Sequence, residues 1–288
     1  DRVWHQRSLV ARHCSRRDQL GAQRFVTFTD AELAHYLAEE TGKRLLAVRE
    51  RLYNDGASPW YAKDVGDAAA QRFLDEALAE HRPNDAVLSE EAADDSNRMT
   101  ADRVWIIDPL DGTQEYSEFD RADWAVHIAL WERKDAQGLP SNEGTLTAGA
   151  VSLPAFGMVL DTNEPPPTPP KHEGAPRLVV SRNRATDAAI VVAQALNCEV
   201  ARLGSAGAKA MSVVLGETDI YVHAGGMHQW DSAAPVAVAE AAGLFTSRID
   251  GSPLVYNMRD TWLPDLIVCQ QHLAQQVIAA LRAGRISR

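Results

Sequence analysis

Little in this chain is long and apolar. No hydrophobic run approaches the roughly 18 to 20 residues that a membrane helix needs, and the apolar core of a signal peptide is missing as well. Neither a membrane-spanning helix nor a membrane partner is expected. Cysteine is scarce: Cys14, Cys198 and Cys269 are an odd number, far apart, and lack metal-cluster spacing. That removes a disulfide framework and points to a reducing, cytoplasmic setting. Basic residues are outnumbered, 29 Lys and Arg against 40 Asp and Glu, for a net charge of −11, which excludes a broad nucleic-acid-binding surface. An anionic ligand would need local cations or backbone N–H groups. Lysine is absent from the first two dozen residues, which carry Arg without helical or strand periodicity. Residues 1–27 are expected to form an extension outside the fold.

What remains is ordinary globular material. With 288 residues, 45% of them hydrophobic, the chain can bury a large core, in two modest domains or one layered one. Leu33, Leu37, Leu45, Val48 and Leu52 recur at helical spacing behind Thr29 and Asp30, two N-cap candidates. A second helix carries Ala70, Phe73, Leu74, Ala77 and Leu78, with Pro83 as its stop. The segments "DAVLSEE", "RVWIIDPLDG", "WAVHIALWER" and "TAGAVSLPAFGMVLD" then read as a mostly antiparallel meander. An N-terminal α+β half over 28–162 is followed by a Pro-rich loop at 163–176, either a linker or a long excursion. From 177 to 288 strand and helix patterns alternate, which implies helices layered on a sheet.

The strand "VWIIDPLDGTQEY" poses the chemical question, because it runs straight into two carboxylates three positions apart. Pro109 biases Asp108 toward extended backbone, and Gly112 permits a tight turn. Asp108, the Leu110 carbonyl and Asp111 are hard oxygen donors of the kind Mg²⁺ prefers. A strand end capped by Asx-turns explains the same residues without a metal. Glu90 and Glu91 close another short strand, as a solvated turn or as a third oxygen ligand. Asp231, in "GGMHQWDSAAPVAVAEAAG", either caps a helix or stands in a strand-to-helix crevice where α/β folds bind ligands. His223 and His228 are read as loop or packing histidines, since Mg²⁺ favours oxygen.

Together "SEE", "WIIDPLDGT" and "WDSAAPVAVAEAAG" resemble the lithium-sensitive, Mg²⁺-dependent inositol monophosphatase superfamily over residues 30 to 285. Within it, "DGTQEY" is similar to the DGT-x-E-[FY] form of the 3'-phosphoadenosine 5'-phosphate phosphatases. "SEEAADD", "DWAVHIALW", "GSAGAKAM" and "DGSPLVYN" resemble the actinobacterial CysQ branch. Ser89 stands where many members have Gly.

The resemblance implies an α/β fold of the αβαβα sandwich type. It implies two or three Mg²⁺ ions held by Glu90, Asp108, the Leu110 carbonyl, Asp111 and Asp231, with Asp108 bridging two of them. Such acids are tolerable together because metal neutralises them. It implies a water-activating pair, Asp67 with Thr113, assisted by Glu90. The Gly112 and Thr113 N–H groups would cradle the phosphate. Ser181, Arg184, Ser205 and Lys209 match the stretches that touch nucleotide, although related enzymes often have His at the Arg184 position. The expected activity is hydrolysis of the 3'-phosphate of adenosine 3',5'-bisphosphate to AMP, and of PAPS to APS, within sulfate assimilation. Inositol-1-phosphate or fructose-1,6-bisphosphate hydrolysis is the alternative, and a non-catalytic nucleotide or metal sensor a remoter one. The partner is then a small nucleotide bisphosphate. Homodimers occur in the family.

Overall fold

The computed structural model describes residues 27–286. The expected N-terminal extension, with Cys14, lies outside the described residues except for Thr27. Two helices open the fold. In α1 (Asp30–Asn54) the N-cap is Thr29: its hydroxyl accepts from Glu32 N, and Glu32 reaches back to Thr29 N, a closed capping box. The buried stripe is Leu33, Leu37, Leu45 and Leu52, with Val48 at its margin. Ser58 and Pro59 start α2 (Pro59–His81), which buries Ala70, Leu74, Ala77 and Leu78.

The first sheet contains β1 (Ala86–Ser89), β2 (Arg103–Asp111), β3 (Ala125–Lys134), β4 (Pro140–Leu153) and β5 (Met158–Asp161), in that spatial order. Strands β2 to β5 form the antiparallel meander, whereas β1 runs parallel to β2. The stretch read as one strand from Thr147 to Asp161 is two. A 3-10 turn at Pro154–Phe156, closed by Gly157 at φ +61°, folds β5 back on β4. Pro154 has no N–H for a ladder, so a turn there costs nothing in sheet hydrogen bonds.

Residues 162–176 form no helix or strand. Beyond them come β6 (Arg177–Ser181), α4 (Asp187–Leu196), β7 (Glu199–Leu203), α5 (Ala206–Val214), β8 (Ile220–His228), α6 (Ala233–Ala241), β9 (Phe245–Ser247), β10 (Trp262–Cys269) and α7 (Ala274–Ile286); the short helix α3 (Thr113–Ser117) precedes β3. The second sheet has the order β7-β6-β8-β10-β9, with β7, β6 and β8 mutually parallel and β10 antiparallel to its neighbours.

Three apolar clusters define the layers. α1 and α2 cover one face of the first sheet through Leu37, Leu74, Trp105 and Ile128. Its other face meets α5 and α6, which also cover the inner face of the second sheet, through Val104, Ile106, Met211, Val236, Val179 and Tyr221. α4 and α7 pack on the outer face through Val180, Val192, Ile267 and Val277. The result is the αβαβα sandwich. α6 lies so close on β4 that a Cβ at Gly149 would stand 2.7 Å from Ala237 Cβ. No helix among the described residues is long and apolar enough to cross a membrane.

Candidate active site

The end of β2 shows how one strand presents two acids. Asp108 pairs with His127 and Asp111 with Ala125, so β2 carries one extra residue, a bulge. In a regular strand residues three apart point to opposite faces; the extra residue lets both carboxylates turn toward the same crevice. Leu110 N donates to Asp108 Oδ1 at 3.0 Å, the Asx-turn anticipated for a capped strand end. That turn uses one oxygen, and Asp108 Oδ2 is buried without a hydrogen-bond partner. Gly112 takes φ +84°, and a Cβ there would stand 2.9 Å from Ser205 Cβ, so both backbone and space demand glycine. Thr113 opens α3, with Oγ1 donating to the Leu110 carbonyl at 3.3 Å.

Three acids from three segments converge at this point. One carboxylate oxygen each from Glu90, at the end of β1, Asp108 and Asp231 lie within 4.8 Å of one another. Asp231 does not cap α6; it ends a 3-10 turn at Gln229–Asp231, and its Oδ2 accepts from His228 N at 2.6 Å. The electrostatics follow from the crowding. Burial, then Asp111 and Glu90, raise the Asp108 carboxyl well above the usual range. Burial and the Asp231 charge raise Glu90 to about 7, and burial with Asp111 raises Asp231 to about 6. A set of oxygen donors this close, one of them an orphaned buried oxygen, suits a hard divalent cation, whose charge would reverse each of those penalties.

Asp111 is the exception. Its Oδ2 accepts from Ser205 Oγ at 2.5 Å and Gly207 N at 2.6 Å, and its Oδ1 from Ala206 N at 3.2 Å. The carboxylate thus sits on the N-terminus of α5, an anion-stabilising position. Burial opposes its charge, but His127, Ser205 and Lys209 outweigh that and hold its pKa well below the ordinary range. Ser205 is itself the N-cap of α5, accepting from Ala208 N. Lys209 is buried, donating Nζ to the carbonyls of Gly204 and Ser205. Both side chains therefore already have protein partners.

Asp67 stands in α2 beside a cleft of about 600 Å³ that it shares with Asp64, Gln71 and Glu91. Burial, then Glu91 and Asp64, raise it to about 7. Gly66 brings this part of the helix in, because a Cβ there would stand 2.6 Å from Tyr116 Cε1 and 3.0 Å from Leu110 Cδ2. Ser89 Oγ donates to Gln71 Oε1 at 2.7 Å, tying the strand that delivers Glu90 to the helix that carries Asp67. Among the described residues no hydrogen bond joins Asp67 to Thr113. Ser181 and Arg184 lie elsewhere, lining a cleft of about 580 Å³ with His223 and the start of α4. This cleft opens where β6 and β8 separate after pairing only at 178/220 and 179/221. The helix after β6 lies on the outer face and the one after β7 on the inner, which makes the gap a topological switch point.

Three residues of this neighbourhood had no role in the sequence reading. Arg49 of α1 donates to the carbonyls of Tyr116, Glu118 and Arg121, clamping the segment after α3. Arg182 reaches from β6 to Glu115 and Glu118 of the first half, at 3.0 and 2.5 Å. His127 of β3 lies 3.2 Å from Asp111 Oδ2. Each acts across the fold; His127 alone stood out in the sequence, as a polar residue inside an apolar run, whereas Arg49 and Arg182 sit among other polar residues and gave no local signal.

Comparison with known proteins gives a consistent result. Residues 62–285 match the model of the inositol monophosphatase family. The 3'-phosphoadenosine 5'-phosphate phosphatase of Mycobacterium leprae is 46% identical over 257 residues, 88% of this chain and 94% of that protein. The protein of the same name from Mycobacterium bovis is 48% identical over 245 residues, 84% of this chain and 89% of its own length. Among solved structures, CysQ from Bacteroides thetaiotaomicron superposes with a TM-score of 0.70 at 24% identity, covering 86% of this chain and 99% of that one.

Proposed function

The chain belongs to the inositol monophosphatase family, and on that footing we propose that it is a Mg²⁺-dependent phosphatase removing the 3'-phosphate of adenosine 3',5'-bisphosphate to leave AMP. The observation that carries the reading is the convergence of Glu90, Asp108 and Asp231, with the left-handed Gly112 turn following directly on Asp111 at the end of the same strand as Asp108. The names of the mycobacterial relatives support the nucleotide substrate. Hydrolysis of PAPS to APS, and a place in sulfate assimilation, belong to the same reading.

Glu90, Asp108, the Leu110 carbonyl and Asp231 would hold the metal, with Asp111 completing the set from its seat on α5. Mg²⁺ bound there, as two or three ions, supplies charge neutralisation and Lewis acidity toward a phosphate ester. The chain's own residues do the rest. The Gly112 and Thr113 N–H groups orient the phosphate and stabilise its developing charge. Asp67, held at about 7, has the affinity for a proton that a base working near neutral pH requires, and it takes the proton of the attacking water with Thr113 and Glu90 orienting that water. The leaving 3'-oxygen departs opposite the attack. Arg184 and Ser181, at the rim of the switch-point cleft, provide the contacts for the phosphate that does not react. Ser205 and Lys209 serve the metal side instead, by holding the start of α5 and the Asp111 carboxylate seated on it in place.

The test is phosphate release from adenosine 3',5'-bisphosphate, with Mg²⁺ and with EDTA, beside inositol-1-phosphate and fructose-1,6-bisphosphate. The expected order of kcat/KM puts the nucleotide first, with no release in EDTA. Preference for inositol-1-phosphate would overturn the substrate, and metal-independent turnover would overturn the site.

A further inference from the structure

The acids of the candidate site come from two different sheets. Glu90 follows one strand of the first and Asp108 lies near the end of another, while Asp231 follows a strand of the second. Their oxygens stay within one cation's reach only if the two sheets are held in register at this point. Most hydrogen bonds of the Gln229–Asp231 turn do not do that. Gln229 bonds to Met258 and Asp260, Ser232 to Tyr256, and Asp231 to His228, all within the second half of the chain.

His127 crosses the gap. It lies in β3, fully buried, opposite Asp108 in the ladder. Its Nδ1 is 3.1 Å from the carbonyl of Trp230, the peptide immediately before Asp231. A carbonyl only accepts, so Nδ1 carries the proton and donates. The same nitrogen is 3.9 Å from Asp108 Oδ2, and Nε2 is 3.2 Å from Asp111 Oδ2, out of line for a hydrogen bond. The second half makes room for the ring: a Cβ on Gly207, at the start of α5, would overlap Nε2. A packing residue would not need a helix glycine opened for it and a carbonyl placed at its donor.

We propose that His127 is a positioning residue which, by donating Nδ1–H to the Trp230 carbonyl, sets the distance of the Asp231 carboxylate from Asp108 and Glu90 and so the affinity of the site for a divalent cation. The inference rests on the metal site of the proposed function. A partner that orients a ligand from behind is typically worth about ten- to a hundredfold in metal affinity.

The experiment is calorimetric titration of the EDTA-stripped, dialysed full chain with Mn²⁺, on wild type and on His127→Leu, His127→Asn and His127→Gln. Melting temperatures of the metal-free proteins are recorded beside it. The amide nitrogen of Asn stands where Nδ1 stands and can still donate to Trp230, whereas Gln extends past it. His127→Leu and His127→Gln are expected to weaken Mn²⁺ binding by about tenfold or more, and His127→Asn to recover most of it. The Mg²⁺ concentration for half-maximal velocity should follow the same order. Unchanged Mn²⁺ affinity in His127→Leu overturns the inference, as does an Asn variant no better than Gln. If the Leu variant does not fold, the Asn and Gln pair decides alone. A wild-type chain that takes up no Mn²⁺ overturns the metal site and this inference with it, whereas normal wild-type uptake with unmoved variants overturns the inference only.

Discussion

The two carboxylate neighbourhoods that close β2 are opposites, although they are three residues apart in sequence. Around Asp108 the protein provides one backbone donor, leaves one oxygen orphaned, and crowds in further acids. Around Asp111 it provides a hydroxyl and two helix N–H groups as donors, with the His127 ring 3.2 Å away but not hydrogen-bonded to it. Asp111 is therefore satisfied by the fold, whereas Asp108 stays frustrated until something else arrives. A buried unpaired oxygen costs on the order of 1–3 kcal/mol, and that cost is tolerated where function needs it.

Substituting the two acids separates those roles. Asp108→Asn should give the largest effect on activity, leaving less turnover than any other change at the site and abolishing stabilisation by Mg²⁺ in a thermal melt. In EDTA the same variant should melt no lower than wild type, because a repelled carboxyl has been removed. Asp111→Asn should do the reverse in EDTA, losing about 1–3 kcal/mol of stability as N–H donors on α5 face an amide nitrogen. Equal melting temperatures for the two metal-free variants would erase the contrast. Next in size, Asp67→Asn should lower kcat by about a hundred- to ten-thousandfold while Mn²⁺ affinity, measured by calorimetry, stays near wild type. Unchanged kcat would remove Asp67 from the chemistry.

The frustrated side should also be visible as pH dependence. Asp67, Glu90 and Asp231 are held at about 7, 7 and 6, above ordinary values of 3.8, 4.5 and 3.8. Groups raised in this way add stability that is complete below the unfolded values and is lost as pH rises through 6 to 7. Metal-free protein should therefore melt several degrees higher at pH 5.5 than at pH 8, at roughly 2–4 °C per kcal/mol for a chain of this size. Ion-paired Glu118, held at about 2, loses its contribution only at more acid pH and does not mask the trend. Saturating Mg²⁺ should flatten or invert the profile, since the cation selects the ionised acids. A metal-free protein that gains stability toward pH 8 would contradict the electrostatic account.

What could be read without coordinates was whatever is local. The stripe of α1, the Asx-turn at Asp108 and the glycine at 112 follow from neighbours within a few positions, and the sequence pattern predicts each. The alternatives left open at Asp231, cap or crevice, differ only in where the turn lands relative to β2, a contact across more than a hundred residues. The parallel pairing of β1 with β2 is likewise invisible in either strand, since both orientations bury the same apolar residues. His127, Arg49 and Arg182 have no role legible in the sequence because their partners lie on other elements. The relative identities bring the family to the sequence, but the opposition between Asp108 and Asp111 appears only when α5 is seen docking on one of them.

The smallest expected effect tests whether the second cleft belongs with the first. Arg184 is exposed at the rim of the switch-point gap, away from the three converging acids. If it touches the non-reacting phosphate through solvent-exposed charge, Arg184→Ala should raise KM for adenosine 3',5'-bisphosphate by a few-fold, on the order of 1 kcal/mol or less, with kcat nearly unchanged. The same variant should leave KM for a monophosphate such as inositol-1-phosphate where it was. Raising the salt should shrink the wild-type advantage, because a pair of exposed charges is screened. An equal rise in KM for both substrates would mean that Arg184 acts on the reacting phosphate or on the fold, and the two clefts would then have to be treated as separate sites.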